Sequence, residues 1–203
     1  MSRVRAPSGL LAVASGLLLA LSFPKAGWSV CAWFALVPLL RAIDGSNFAS
    51  AFRLGWLSGS SFFLITLYWI PGTISRQTAM PPVLGWIVLL LLAAVLGLYL
   101  GGFAAGVRFW ERRTGRDGLL IATSLWAGLE WCRASAWIPV PWNLLGYTQV
   151  GNLRLLQLTE VTGIYGVGAL IAAVNFALYT AVAGRRPASF HRMRLAGIAL
   201  LCL

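Results

Sequence analysis

The sequence predicts an all-α, polytopic membrane protein: a bundle of about six transmembrane helices plus the start of a seventh, with the amino terminus inside. Three observations carry this expectation. Hydrophobic residues make up 59% of the 203 positions and charged residues only 10%, a balance too apolar for a soluble domain. The apolar residues are gathered in long runs, several of them near the 20 or so residues that a bilayer crossing requires. The basic residues are divided unequally between the polar stretches that separate those runs.

Taken in order, Gly9 to Phe23 is a short run stopped by Pro24, and Ala26 to Leu40, opened by Gly27 and Trp28, is short as well. The two either cross as a tight helical hairpin or dip in and return, and in both cases Arg5 and Arg41 finish on one side. Arg3 and Arg5 ahead of an apolar stretch also fit a cleavable signal peptide, but a small-x-small cleavage site is missing and more spans follow. Phe48 to Ile70 is the third span, with Gly55-x-x-x-Gly59 and a terminal Tyr68-Trp69-Ile70-Pro71 suited to the membrane interface. Pro82 to Val107 is the fourth, and its Gly97-x-x-x-Gly101 and Gly102-x-x-x-Gly106 pairs read as helix-packing surfaces.

Leu119 to Trp137 makes the fifth span and Val161 to Ala183 the sixth, with Gly163, Gly166 and Gly168 near its start. Asn175, deep within it, reads as an interhelical hydrogen-bond partner rather than a ligand group. Between these two spans, Ile138 to Glu160 is too irregular to face lipid, where unpaired backbone groups are costly, so it is expected at the interface or against protein. From Leu195 the chain turns apolar again for its last nine residues, so residues 1–203 are expected to be one membrane unit, the first part of a longer protein.

Orientation follows from the basic residues. With the amino terminus inside, the cytoplasmic stretches hold Arg3, Arg5, Arg41, Arg53, Arg108, Arg112, Arg113, Arg116, Arg185, Arg186, Arg192 and Arg194, and the other side holds Lys25, Arg76, Arg133 and Arg154. Twelve against four is a strong inside bias. The same scatter argues against nucleic-acid binding, which needs its net charge of +11 gathered on one polar face.

The polar residues worth chemical attention gather between Glu130 and Gln149, on the side assigned to the exterior. Glu130 and Arg133, three apart on a helix, share a face and can pair. Two readings stand: an interfacial ion pair that fixes the helix end, or a wall of a lipid headgroup site in which Arg133 forks onto a phosphate and Glu130 orients it. Trp142 and Tyr147 are either belt aromatics or, with Asn143 and Gln149 beside the proline-stiffened turn, part of a preformed pocket for an amphiphile. Glu160 is accounted for by the dipole of the helix it opens.

Catalysis is harder to assemble. Cys31, Cys132 and Cys202 lie in apolar surroundings with neither metal-ligand nor Cys-x-x-Cys spacing, and His191, the one histidine, falls on the cytoplasmic side. No nucleophile and base can be brought together on the outer face, and neither a metal nor a cofactor is indicated. The residues present can bind.

The pieces Leu21-Ser22-Phe23-Pro24, Trp33-Phe34-Ala35-Leu36-Val37-Pro38-Leu39-Leu40, Tyr68-Trp69-Ile70 and Glu130-Trp131-Cys132-Arg133 come in an order that resembles the apolipoprotein N-acyltransferases. Pro141-Trp142-Asn143-Leu144-Leu145-Gly146-Tyr147, Leu156-Gln157-Leu158, Thr162-Gly163-Ile164-Tyr165-Gly166 and Val174-Asn175 continue the match over nearly the full chain. The resemblance implies a membrane bundle of the bacterial inner membrane, followed by a periplasmic nitrilase-like domain with a Glu-Lys-Cys triad. There a cysteine takes an acyl chain from a phospholipid as a thioester and passes it to the α-amino group of a lipoprotein's diacylglyceryl-cysteine. The nitrilase-like region is not present in these residues, so no catalytic residue carries over and the chain is expected to be inactive by itself. What carries over is a substrate-binding cluster of Glu130, Arg133, Trp142, Asn143 and Tyr147. A small transporter or channel module and a noncatalytic membrane scaffold remain as alternatives, although the polar groups gather near one face rather than at mid-membrane.

Overall fold

In the computed structural model of the chain, residues 7–78, 81–115, 118–136 and 139–184 are described, and they are helical with no strand among them. The helices are α1 (Ser8–Leu21), α2 (Val37–Ile43), α3 (Phe48–Thr66), α4 (Ile70–Gln77), α5 (Pro82–Thr114), α6 (Leu119–Ser135), α7 (Leu153–Leu156) and α8 (Thr159–Val182). Two 3₁₀ turns, Ser29–Trp33 and Leu145–Gln149, interrupt the connections. The apolar run from Leu195, with Arg185, Arg186, His191, Arg192, Arg194 and Cys202, lies outside the described residues, as do Arg3, Arg5, Arg116, Trp137 and Ile138.

The all-helical expectation is met, but the spans are less uniform than the hydropathy runs. Helices α5 and α8 are each long and apolar enough to cross a membrane, and α3 with α4, bent by 48° at their junction, makes a third. Helix α6 has 17 residues, roughly 26 Å against a hydrocarbon core of about 30 Å. The expected second span is instead a 3₁₀ turn followed by the seven-residue α2. Helix α3 ends at Thr66 because Pro71 sits in the first turn of a new helix, where it starts a helix but cannot continue one.

A broken segment inside a membrane bundle leaves backbone groups that lipid cannot satisfy. Here two buried side chains satisfy them. Asn175 of α8 accepts from Leu36 N at 2.8 Å and donates to Ala32 O at 2.8 Å, while Ser15 of α1 donates to Ala35 O at 2.6 Å. Asn175 is fully buried and its amide also donates to Ile171 O in its own helix. The interhelical role expected for this residue is the one it has.

Helices α3 and α5 pack most closely, through the glycines singled out by their spacing. A Cβ on Gly59 would lie 2.9 Å from Gly97 Cα, and one on Gly97 would lie 2.5 Å from Ser60 Oγ and 3.0 Å from Trp56 O. The Trp56 indole crosses the same seam to donate to Ala94 O at 2.8 Å. The Gly102–Gly106 pair is not used as a unit: Gly106 abuts Leu125, and Gly102 faces open space. Gly97→Val is therefore expected to force the two backbones apart at a cost of about 1–3 kcal/mol. Gly102→Ala should be neutral, and thermal unfolding in detergent followed by tryptophan fluorescence compares the two.

The chain alternates between two ends of the bundle. Ser8, Ala42, Asp44, Ser46 and Arg53 meet around one space at the first end, where Arg108 donates to Ser46 O and to the Glu111 carboxylate. Lys25, Tyr68, Trp69 and Asn143 meet at the other, where α1 and α3 finish and the α6–α8 connection lies.

Candidate functional site

The second end is organised by one face of α6. Trp126, Glu130 and Arg133 follow at helical spacing, and all three are buried, the two charged residues at only 5% and 4% exposure. Charge at that depth requires polar partners, and the irregular connection after α6 supplies them. Glu130 Oε1 accepts from Leu145 N at 2.6 Å, receiving the backbone donor that opens the 3₁₀ turn. Arg133 curls over the helix end and donates to Trp142 O at 2.5 Å, with longer contacts of 3.4 Å to Val140 O and Asn143 O. Its guanidinium lies 5.2 Å from the centre of the Phe63 ring of α3.

These bonds fix a sharp path. Asn143 takes a left-handed backbone at φ 56°, a conformation that Asn adopts more readily than most residues. Leu144 and Leu145 then turn inward and are almost wholly buried. The turn seats on α8 at two glycines: a Cβ on Gly146 would lie 2.6 Å from Ile164 O, and one on Gly168 would lie 2.7 Å from Glu130 Oε2. Gln149 ties the far end down by donating from Nε2 to Ser29 O at 3.1 Å.

The ion pair between Glu130 and Arg133, one of the two readings of these residues, is absent. Among the described residues the ion pairs are Arg41–Asp44 and Arg108–Glu111, and the carboxylate and guanidinium of α6 each turn to the loop backbone. Backbone groups outcompete the pairing because they are otherwise unsatisfied in an apolar setting. The Trp126 indole N–H faces the Glu130 carboxyl group, and both residues border a cavity of about 30 Å³ that Arg133, Phe63, Phe103 and Asn143 also line. That volume admits a water or two and excludes an acyl chain.

A much larger space lies beside it. A groove of about 920 Å³ runs between the ends of α1 and α3, lined by Leu17, Leu21, Phe23, Leu64 and Ile65, with Lys25, Tyr68, Trp69 and Asn143 at its polar margin. Phe23 and Asn143 border both spaces. Trp142 leans on Trp69 edge to face, ring centres 5.6 Å apart, which fastens the loop to the α3–α4 bend.

The five residues singled out in the sequence thus share one neighbourhood but occupy different places in it. Glu130 and Arg133 are buried under the loop, and their polar atoms hold its backbone. Asn143 lines the groove, and Trp142 stands half exposed next to it. Tyr147 is partly exposed on the outer side of the 3₁₀ turn and lines neither space. Lys25 and Phe63 were not singled out, and no local motif marks either one.

The arrangement is that of a binding surface: an apolar trough with an aromatic and amide rim. Of the described cysteines, Cys31 is half-buried and Cys132 is exposed, and no group of three His, Cys, Asp or Glu among the described residues is arranged to hold a metal ion.

Comparison with known proteins agrees with this order of motifs. The sequence profile of the apolipoprotein N-acyltransferase N-terminal domain matches residues 15–177. The apolipoprotein N-acyltransferase of Geobacter metallireducens is 40% identical over 187 residues, covering 89% of this chain and 35% of that protein. Those of Allorhizobium ampelinum and Gloeobacter violaceus are 31% and 32% identical, covering 95% and 85% of this chain and 38% and 34% of their own lengths. The chain spans a little over a third of the curated relatives it matches, and the part it spans is amino-terminal. By this match along most of its length, the chain belongs to the apolipoprotein N-acyltransferase family, as a counterpart of the family's N-terminal domain.

Proposed function

We propose that this chain is the lipid-presenting membrane domain of an apolipoprotein N-acyltransferase, which moves an acyl chain from a phospholipid to the N-terminal diacylglyceryl-cysteine of a lipoprotein. Residues 1–203 act as one multi-pass unit of the bacterial inner membrane, with the amino terminus inside and about six crossings, the shorter helices included. The observation that carries this reading is the groove of about 920 Å³ at the end of the bundle opposite Arg41, Arg53 and Arg108. Its apolar walls match an acyl chain, and its rim of Tyr68, Trp69 and Asn143 matches headgroup depth. Trp142 and Asn143 contact the lipid, Tyr147 anchors the loop at the interface, and Glu130 and Arg133 are positioning residues that hold the loop.

The chemistry belongs to a nitrilase-like Glu-Lys-Cys domain on the periplasmic side, in cis or in trans. The test is to express residues 1–203 with and without that domain supplied separately and to assay N-acylation of a diacylglyceryl lipopeptide. Acylation is expected only when both are present, with Trp142→Ala lowering it about tenfold or more at equal expression. Acylation by residues 1–203 alone would refute the division of labour, and full activity of Trp142→Ala would leave a noncatalytic scaffold as the better description.

A further inference from the structure

We propose that Lys25 is the phosphate contact of a phospholipid seated in the groove between α1 and α3. This rests on the lipid-presenting reading and adds to it the headgroup chemistry that the groove selects. Lys25 is the sole lysine of the chain. It follows Pro24, just beyond the end of α1, and among the described residues it is the one cation bordering the groove, with no acidic side chain among those that line it. The ammonium stands 4.0 Å from the centre of the Tyr68 ring and makes no ion pair with any described residue.

The geometry decides what such a cation can do. A cation over a ring face is held in place by the ring quadrupole while the N–H donors pointing away from the ring stay free. Tyr68, Trp69 and Trp142 put it at the depth of interfacial aromatics, where a lysine stem lies along apolar surface and its head meets headgroup oxygens. An acyl chain along Leu17, Leu21, Leu64 and Ile65 brings the attached glycerol phosphate to this mouth. Arg133 cannot serve instead, because it is 4% exposed and its donors are engaged by loop carbonyls.

The experiment uses the 203-residue chain in lipid nanodiscs with two probes carrying the same diazirine-bearing acyl chain, phosphatidylglycerol and diacylglycerol. After photolysis, adducts on the peptide containing Leu64 and Ile65 are quantified. The native chain should favour the phospholipid, and Lys25→Met should lower that preference about fivefold, the effect of one interfacial cation near an anionic group. Lys25→Arg should keep it, and Leu64→Trp should lower labelling by both probes alike. An unchanged preference in Lys25→Met, with Leu64→Trp still suppressing labelling, would overturn the role of Lys25 and leave the groove as a lipid site. Absence of groove labelling by either probe would sink the proposal together with the lipid-presenting reading.

Discussion

Replacing Arg133 with methionine is expected to free residues 140–143 from the helix end and to remove most of the activity that depends on this domain. The change deletes the donor to Trp142 O and the weaker contacts to Val140 O and Asn143 O, none of which water can replace at 4% exposure. Hydrogen bonds from a charged donor to the backbone contribute about 1.5–3 kcal/mol each, so a cost of about 3 kcal/mol is expected for one short and two long contacts. The open loop should then be about a hundredfold more populated. Hydrogen exchange of the amides from Val140 to Gln149 measures this directly. Arg133→Lys should lie between, since a single ammonium cannot reproduce the fork. If Arg133 instead gripped a lipid phosphate, methionine would weaken phospholipid retention and leave loop exchange as it was.

Asn175→Leu should be comparably damaging at a distance from the groove. Leucine shares the branched outline of asparagine and is usually welcome in a membrane helix, but its methyl groups are bulkier than the amide O and N that now sit 2.8–2.9 Å from their partners. The hydrogen bonds add to this: Leu36 N and Ala32 O both lose their partner in the break ahead of α2. Each orphaned backbone group costs about 1–3 kcal/mol, so the sum for the two is about 2–6 kcal/mol. Unfolding in detergent should show a correspondingly lower transition temperature, and Asn175→Gln should recover only part of it. A variant as stable as the native chain would mean that the broken segment rearranges to satisfy itself.

The parts of this fold that were legible in the sequence are those written in local spacing. The Gly55–Gly59 and Gly97–Gly101 pairs of α3 and α5, the apolar runs of α5 and α8, and the buried amide of Asn175 follow directly from residue type and period, whereas Gly102–Gly106 shows that spacing alone does not make a packing surface. The second span was not legible, because a run such as Ala26 to Leu40 has the hydropathy of a helix whether or not its backbone is continuous. Only the distant Ser15 and Asn175 show that the break can be tolerated.

At the candidate site the neighbourhood was readable, and the division of labour was not. Helical spacing put Glu130 and Arg133 on one face, as found. It could not reveal that loop amides and carbonyls would claim each side chain, since those partners lie 7 to 15 residues away along an irregular path. Lys25 and Tyr68 are separated by more than a whole helix in sequence, so their contact becomes visible only once α1 and α3 lie side by side.

The most direct measurement is the sidedness of the two ends. In a background with Cys31, Cys132 and Cys202 replaced by serine, Ser135→Cys and Ala49→Cys introduce one exposed thiol near each end of the bundle. A membrane-impermeant maleimide added to intact spheroplasts should label the thiol at 135 and spare the one at 49, with the pattern reversed in inverted vesicles. Labelling of the thiol at 135 only in inverted vesicles would put the groove and its clamped loop on the cytoplasmic face, away from any periplasmic catalytic domain, and would contradict the proposed function at its root.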